Sequence, residues 1–214
     1  MNLANEATYD RWAHSYPPLP HNPLMAAEQD AVQSLWPELA GRRALDLACG
    51  SGRYGLLMAQ HGACVVVGCD RSAGMLAQAP LALRVRADML ALPFAAHSFD
   101  VIVCGLAVGH APSLEAWMVE AARVLAPGGV LVYSDFHPDA ARAGMTRSFT
   151  DDSGRKHTLA HARHELDEHR RAAAGARLVL QGQREVRIGH ELQAPGLAAP
   201  QGLAVVLALR WGKP

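Results

Sequence analysis

The sequence of 214 residues predicts an α/β protein with a doubly wound, mostly parallel, seven-stranded sheet, an antiparallel closing strand and an N-terminal lid segment. Two observations carry this prediction. Short apolar runs alternate with helical patterns between residues 41 and 135, which is typical of β-α-β units in a parallel sheet. Near the C-terminus, two strand-like segments are separated by a loop rich in Gly and Pro, which favours an antiparallel pair.

The composition indicates a globular protein with balanced charge. Half of the residues are hydrophobic, 19% are charged, and the formal net charge is zero, so neither nucleic acid nor an anionic membrane is expected as a partner. No apolar run approaches the ~18 residues of a transmembrane helix. Residues 1–16 also lack the pattern of a secretory signal. We therefore expect a single cytoplasmic domain over residues 1–214, whose oligomeric state the sequence leaves open.

Four cysteines, Cys49, Cys64, Cys69 and Cys104, lie in or beside predicted strands and show no CxxC spacing. We expect them to be reduced thiols of the core, and we expect no disulfide or metal site.

Residues 1–40 are predicted to form the lid segment and one helix. The aromatic residues Tyr9, Trp12 and Tyr16 lie close together, prolines then interrupt regular structure, and a helical pattern over residues 24–39 ends near Pro37. Two interpretations are open for the aromatic segment. It is either a flap packed on the core or a lid over a ligand pocket, since aromatic rings supply rigid area with a polar tip.

Five strands are predicted between residues 41 and 135. They are expected at residues 43–48, 64–70, 83–87, 99–104 and 130–135. The second is apolar almost throughout, as in strands buried on both faces. Helices are predicted over residues 52–61 and 72–79, and from the N-cap Ser113 to a stop at Pro127-Gly128-Gly129.

The C-terminal part breaks this alternation. Residues 136–160 are polar and are predicted to form an insertion over the active site, whereas residues 161–214 supply a helix from Glu165 to Ala174 and closing strands over 177–187 and 202–210. Three histidines, His157, His161 and His164, would share one face if the segment is a helix, whereas a strand up to His164 would break that face. Metal binding, a substrate-facing role and plain surface positions are open for them.

The stretch from Ala44 to Gly55 predicts a cofactor site and makes residues 41–135 the cofactor-binding core. Glycines allow a tight turn and a close approach of a ligand to the backbone, and the first amides of a following helix can meet a polar group. The spacing Gly50-x-Gly52-x-x-Gly55 matches a dinucleotide motif, and Asp70 follows where an acid would bind ribose hydroxyls. This pattern alone leaves an NAD(P)-dependent Rossmann oxidoreductase open.

Further motifs separate the alternatives. Asp46 lies inside the first strand, Asp88 follows the third, and the segments 98–104 and 123–131 come later in order. Together they resemble the class I S-adenosylmethionine-dependent methyltransferases with a Rossmann-like fold, of the small type that includes ubiquinone/menaquinone and malonyl-carrier-protein methyltransferases. The resemblance covers residues 41–135. It implies S-adenosyl-L-methionine as cofactor and a small-molecule O, N or C acceptor.

The resemblance also implies a set of cofactor-binding residues. The glycine loop would hold the methionine part, Asp70 the ribose hydroxyls and Asp88 the adenine amino group. The full predicted set is Asp46, Ala48, Cys49, Gly50, Gly52, Asp70, Arg71, Met75, Asp88, Met89, Gly105 and Leu106. Purely structural roles are open for the acids: Asp46 at a strand end, Asp70 at a helix entry and Asp88 in a turn.

His110 is the predicted catalytic residue, because a neutral imidazole after the fourth strand can accept a proton near neutral pH. A loop histidine that orders Ala111-Pro112 is the alternative. The predicted acceptor-binding set is Tyr9, Trp12, Tyr16, His110, Asp135 and His137. The family often has Tyr-Asp where this chain has Tyr16-Pro17. An adenosylmethionine-binding protein with a non-methylating activity, such as a cyclase, also remains open.

Overall fold

The computed structural model describes residues 3–17, 19–150, 154–189, 192 and 200–214. Its strands are β1 (Arg43–Leu47), β2 (Val65–Asp70), β3 (Leu83–Arg86), β4 (Phe99–Cys104), β5 (Leu125–Phe136), β6 (Ser148–Thr150), β7 (Lys156–Thr158), β8 (Val179–Arg187) and β9 (Ala204–Gly212). Seven of them form one sheet in the order β3-β2-β1-β4-β5-β9-β8, and β9 runs antiparallel to both of its neighbours. The predicted mostly parallel sheet with an antiparallel closing strand is confirmed.

Helices cover both faces of the sheet. They are α1 (Leu3–Trp12), α2 (Pro23–Gln33), α3 (Arg53–Gln60), α4 (Ala73–Gln78), α5 (Leu114–Val124), α6 (Pro138–Arg142) and α7 (Leu166–Gly175). The predicted N-cap residue Ser113 accepts a hydrogen bond from the amide of Ala116 and so begins α5. Ser72 begins α4 in the same way, through the amide of Met75.

The core lies on the two faces of the central strands. On one face, Trp117 of α5 packs edge-on against Tyr133 of β5, with ring centroids 5.0 Å apart, and both side chains are fully buried. On the other face, Val32 of α2 and Met58 of α3 pack against β1, β4 and β5. Burial on both faces explains why the central strands carry nearly continuous apolar runs.

Several predicted boundaries differ from the structure. Helix α2 ends at Gln33, well before Pro37. Helix α5 ends at Val124, and the predicted stop Pro127-Gly128-Gly129 lies inside β5, because the buried Leu125 already pairs with Phe99 of β4.

The expectation that Cys64 is a core thiol is wrong. Cys64 is exposed because it lies in the turn before β2, where its thiol donates to the carbonyls of Gly41 and Arg42. Val65, the first residue of β2, is also exposed, so this strand is buried on both faces only towards its carboxyl end. The cysteines Cys49, Cys69 and Cys104 are buried and free.

Residues 136–160 contain secondary structure that the sequence does not indicate. They form α6 and, with β6 and β7, a two-stranded antiparallel sheet. Within the described residues, no helix is both long and apolar enough to cross a bilayer.

Candidate active site

A cavity lies at the carboxyl ends of β1, β2, β3 and β4. Open α/β sheets bind ligands at this edge. The predicted residues that line the cavity are Tyr9, Tyr16, Asp46, Ala48, Cys49, Gly50, Asp70, Arg71, Met75, Asp88, Met89, Gly105 and His110.

The glycine loop and Asp70 form one hydrogen-bonded unit. Gly50 and Gly52 have φ values of 54° and 85°, which L side chains rarely adopt. The carboxylate of Asp70 accepts from the amide of Gly50 and from that of Ser72, both at 2.8 Å. Burial raises the pKa of Asp70, while these amides oppose that rise. Each carboxylate oxygen keeps a further lone pair, so Asp70 can still accept from a ligand hydroxyl.

Asp46 ties the start of α3 to β1. Its carboxylate accepts from the amide of Gly55 at 2.6 Å, and burial raises the pKa of Asp46 to about 7. A Cβ at position 55 would come within 2.7 Å of a terminal methyl group of Leu81, so the side chain of Leu81 would have to shift. Asp46 thus serves a structural role while it also borders the cavity.

Asp88 is both a turn residue and part of an ion-pair network. Its carboxylate accepts from the amide of Leu90 at 3.0 Å and pairs with Arg71 at 2.8 Å. Arg71 also pairs with Glu6 of α1 at 2.7 Å. The network therefore fastens the N-terminal helix to the rim of the cavity.

Helix α1 covers the cavity, which favours the lid interpretation over a flap placed elsewhere. The carboxylate of Asp10 accepts from the hydroxyl of Ser72 at 2.5 Å and from the amide of Gly74 at 2.9 Å, so α1 is held against α4. Tyr9 and Tyr16 reach the cavity, whereas Trp12 packs on both of them from outside, with centroid distances of 6.0 and 4.7 Å.

His110 accepts a hydrogen bond and is a weak base in this position. Its Nδ1 lies 3.1 Å from the carbonyl of Ala160, which only accepts, so Nδ1 carries the hydrogen and Nε2 accepts from the hydroxyl of Tyr9 at 2.9 Å. Burial, together with the nearby charge of Arg147, lowers the pKa of His110 to about 2. Such an imidazole holds a proton poorly at neutral pH. This arrangement favours a positioning role over the predicted general base.

Five predicted residues do not line the cavity: Gly52, Trp12, Leu106, Asp135 and His137. Gly52 is the N-cap of α3. Leu106 packs in the apolar cluster below the loop after β4.

Asp135 and His137 are occupied elsewhere. The carboxylate of Asp135 accepts from the Nε2 of His161 at 3.0 Å, and Nδ1 of His137 accepts from the amide of Asp139 at the start of α6. Direct contacts of these two side chains with the acceptor stay a prediction.

The three histidines do not share a helical face. His157 belongs to β7, His161 and His164 lie in irregular chain, and α7 begins only at Leu166. The part of the chain that the structure describes contains no group of three side chains able to hold a metal ion.

Four polar residues of the cavity wall are not among the site residues predicted from the sequence. They are Ser51, Arg53, Tyr54 and Arg147. The hydroxyl of Ser51 is buried without a hydrogen-bond partner in the described structure, so the glycine loop presents an unsatisfied polar group to a ligand. Ser51 and Arg53 lie within the glycine motif, where their neighbours could have indicated them. No local signal indicates Arg147.

The chain matches the family model described as "Methyltransferase domain" over residues 45–133. A malonyl-[acyl-carrier protein] O-methyltransferase of Enterobacter lignolyticus is 36% identical over 124 residues, which cover 56% of this chain and 49% of that protein. A demethylmenaquinone methyltransferase of Beutenbergia cavernae is 38% identical over 100 residues, covering 45% and 41% of the two chains. The chain thus spans about half the length of these curated relatives.

Solved structures share the fold at low sequence identity. The crystal structure of an S-adenosylmethionine dependent methyltransferase from Mesorhizobium loti has a TM-score of 0.73 and 23% identity, and the match covers 90% of this chain and 100% of that one. The likeness in fold therefore extends well beyond residues 45–133.

Proposed function

We propose that this chain, which matches the family model "Methyltransferase domain" over residues 45–133, is a class I S-adenosylmethionine-dependent methyltransferase that transfers a methyl group from S-adenosyl-L-methionine to a small-molecule acceptor. The observation that carries the proposal is the cavity itself. The Gly50 loop, Asp70, Tyr9 and His110 all line it, and the hydroxyl of Tyr9 is hydrogen-bonded to His110.

The residues present fit this cofactor. Asp70 would accept from the ribose hydroxyls, Asp88 would lie by the adenine, and the unsatisfied hydroxyl of Ser51 would meet the amino-acid part. The sulfonium supplies an already activated methyl group when it is bound. The protein therefore mainly has to align the acceptor and exclude water.

The lid residues would perform these two tasks. Tyr9 stays a neutral phenol because burial raises its pKa to about 12, and its hydroxyl is held by His110. With Tyr16 beside it, α1 covers the cavity and limits access of water. An enclosed site suits a small acceptor better than a folded macromolecule. The relatives named for malonyl-carrier protein and demethylmenaquinone support the same class. A cytoplasmic location, a single domain over the whole chain and the absence of a nucleic-acid partner stay predictions.

Ligand-dependent stabilisation tests the cofactor directly. S-adenosylmethionine and S-adenosylhomocysteine should stabilise the protein by about 2.7 kcal/mol at a hundredfold excess over Kd, whereas NAD(H) should not. Stabilisation by NAD(H) alone would identify an oxidoreductase and refute the proposal. Cofactor binding without any methyl transfer to acceptors would instead favour a non-methylating activity.

A further inference from the structure

Three arginines line the described wall of the cavity, and two of them are neutralised by carboxylates. Arg53 pairs with Glu28 at 2.7 Å, and the side chain of Glu28 is fully buried. Arg71 pairs with Glu6 at 2.7 Å and with Asp88 at 2.8 Å. These two guanidinium groups therefore bring little uncompensated charge into the cavity.

Arg147 differs from both. Its Nη1 donates to the carbonyl of Leu106, and its guanidinium lies over the ring of Phe136, 5.7 Å from the centroid. Among the residues that the structure describes, no carboxylate pairs with Arg147. Its charge acts on the phenols of Tyr9 and Tyr16, where it opposes the rise in pKa that burial causes, so the guanidinium faces the same space as these lid residues.

The cavity consequently has an acidic and a basic end. In the sheet order β3-β2-β1-β4, Asp88 follows β3, Asp70 ends β2 and Asp46 lies near the carboxyl end of β1, whereas Arg147 is bonded to the loop after β4. A guanidinium remains charged at any physiological pH. A partly buried cation without a counter-ion is costly, and an anionic ligand would remove that cost.

We infer that Arg147 binds a carboxylate of the methyl acceptor, and that this carboxylate is the group that is methylated. The inference rests on the proposed function, because it places a second cation, the sulfonium, in the same cavity. Two cations repel each other in a space of low dielectric, and an anion between them is attracted to both. The planar fork of a guanidinium also matches the two oxygens of a carboxylate.

The chemistry of this step needs no proton transfer. A bond forms between a carboxylate oxygen and the methyl carbon, the bond from that carbon to sulfur breaks, and the electron pair stays on sulfur. The negative charge of the carboxylate and the positive charge of the sulfonium both disappear, and the products are a methyl ester and a neutral thioether. A site without a strong base suits this reaction, and Nε2 of His110 already accepts the hydrogen of Tyr9.

The test compares carboxylates with their amides on four proteins. The probes are malonate, benzoate and octanoate, each against its amide, and titration calorimetry measures their binding to the wild type saturated with S-adenosylhomocysteine. The variants are Arg147→Gln, Arg147→Lys and the matched control Arg184→Gln, whose arginine is exposed on β8. Thermal unfolding without ligands verifies that each variant is folded.

We expect at least one carboxylate to bind the wild type and the control more tightly than its amide does. Arg147→Gln should weaken that binding by about tenfold or more, and Arg147→Lys should weaken it less because the charge remains. Affinity for S-adenosylhomocysteine should stay within about twofold of the wild type in every variant.

Three results separate the possible failures. If no carboxylate is preferred over its amide by the wild type, the inference is wrong while the proposed function stands. If Arg147→Gln weakens the binding of S-adenosylhomocysteine as much as it weakens the binding of the carboxylate, Arg147 holds the carboxylate of the cofactor. The inference is then also overturned. If the wild type binds neither S-adenosylmethionine nor S-adenosylhomocysteine, the proposed function itself fails.

Discussion

Glu28 of α2 is fully buried, and its replacement by Ala should strongly destabilise the protein. The carboxylate accepts from Nη2 of Arg53 at 2.7 Å, from the hydroxyl of Tyr54 at 2.7 Å and from the hydroxyl of Ser134 at 2.5 Å. Glu28→Ala removes the counter-ion of Arg53, whose side chain is only 12% exposed, and leaves two buried hydroxyls without their acceptor. The three losses affect one place, where α2 and α3 meet β5.

Breaking a buried ion pair on one side costs about 3–5 kcal/mol. This is a large part of the roughly 5–15 kcal/mol that stabilises a typical domain. For a chain of this size, about 1 kcal/mol corresponds to a shift in Tm of roughly 2–4 °C, so the Tm should fall by about 6–20 °C. Glu28→Gln should lie between the wild type and Glu28→Ala, because the amide keeps an acceptor and loses the charge.

Urea denaturation followed by circular dichroism measures the free energy of unfolding of each protein. Glu38→Ala is the matched control, because Glu38 is exposed just beyond the same helix and should change stability by less than about 0.5 kcal/mol. If Glu28→Ala were as stable as this control, the buried carboxylate would not hold α2 on the sheet, and the reasoning from burial would be refuted.

Three further predictions concern Asp70, His110 and His169. Asp70→Asn should lower the affinity for S-adenosylhomocysteine about ten- to hundredfold, as measured by calorimetry, because a charged acceptor for ligand hydroxyls is lost. The NMR signals of the His110 ring should not titrate between about pH 5 and pH 8, since burial lowers its pKa to about 2. Burial also lowers the pKa of His169 to about 4, so the unfolded chain takes up this proton first and stability should fall as the pH drops from about 6.5 to 4. In His169→Asn, urea denaturation at several pH values should show a shallower fall.

Each of these predictions has a contradicting result. The exposed Asp167→Asn is the control for Asp70, and equal affinities of the two variants would exclude Asp70 from the cofactor site. A titration of His110 near pH 6 would restore it as a candidate base. An unchanged pH dependence in His169→Asn would show that burial does not hold the pKa of His169 low.

Most of the residues predicted to bind the cofactor line the cavity, because they lie where strands end. Asp70 ends the largely apolar strand β2 and Asp88 follows β3, and parallel strands bring their carboxyl ends to the same edge of a sheet. The lid could be predicted only in part from the sequence. The aromatic cluster around Tyr9 indicated a covering element, but the ion pairs of Glu6 with Arg71 and Arg86 that hold it in place have no local signal.

Of the six residues predicted to bind the acceptor, Tyr9, Tyr16 and His110 line the cavity. Asp135 lies in β5 and His137 directly follows it, yet Asp135 binds His161 and His137 caps α6, so neither side chain lines the cavity. Arg147, which does reach it, comes from residues 136–160, whose polar pattern does not indicate a conformation.

The sequence by itself determined the mostly parallel sheet, the glycine loop and the acids around it, because apolar periodicity and turn residues act over short stretches of chain. The tertiary structure alone decided which charges are neutralised and which face the cavity. Glu28 meets its donors across 25, 26 and 106 positions of the chain. The pKa of His110 depends on burial, on the nearby charge of Arg147 and on the contact with the carbonyl of Ala160. The protonation state and the compensation of a charge depend on desolvation and on neighbours in space. Neither desolvation nor spatial neighbours can be inferred from the order of residues along the chain.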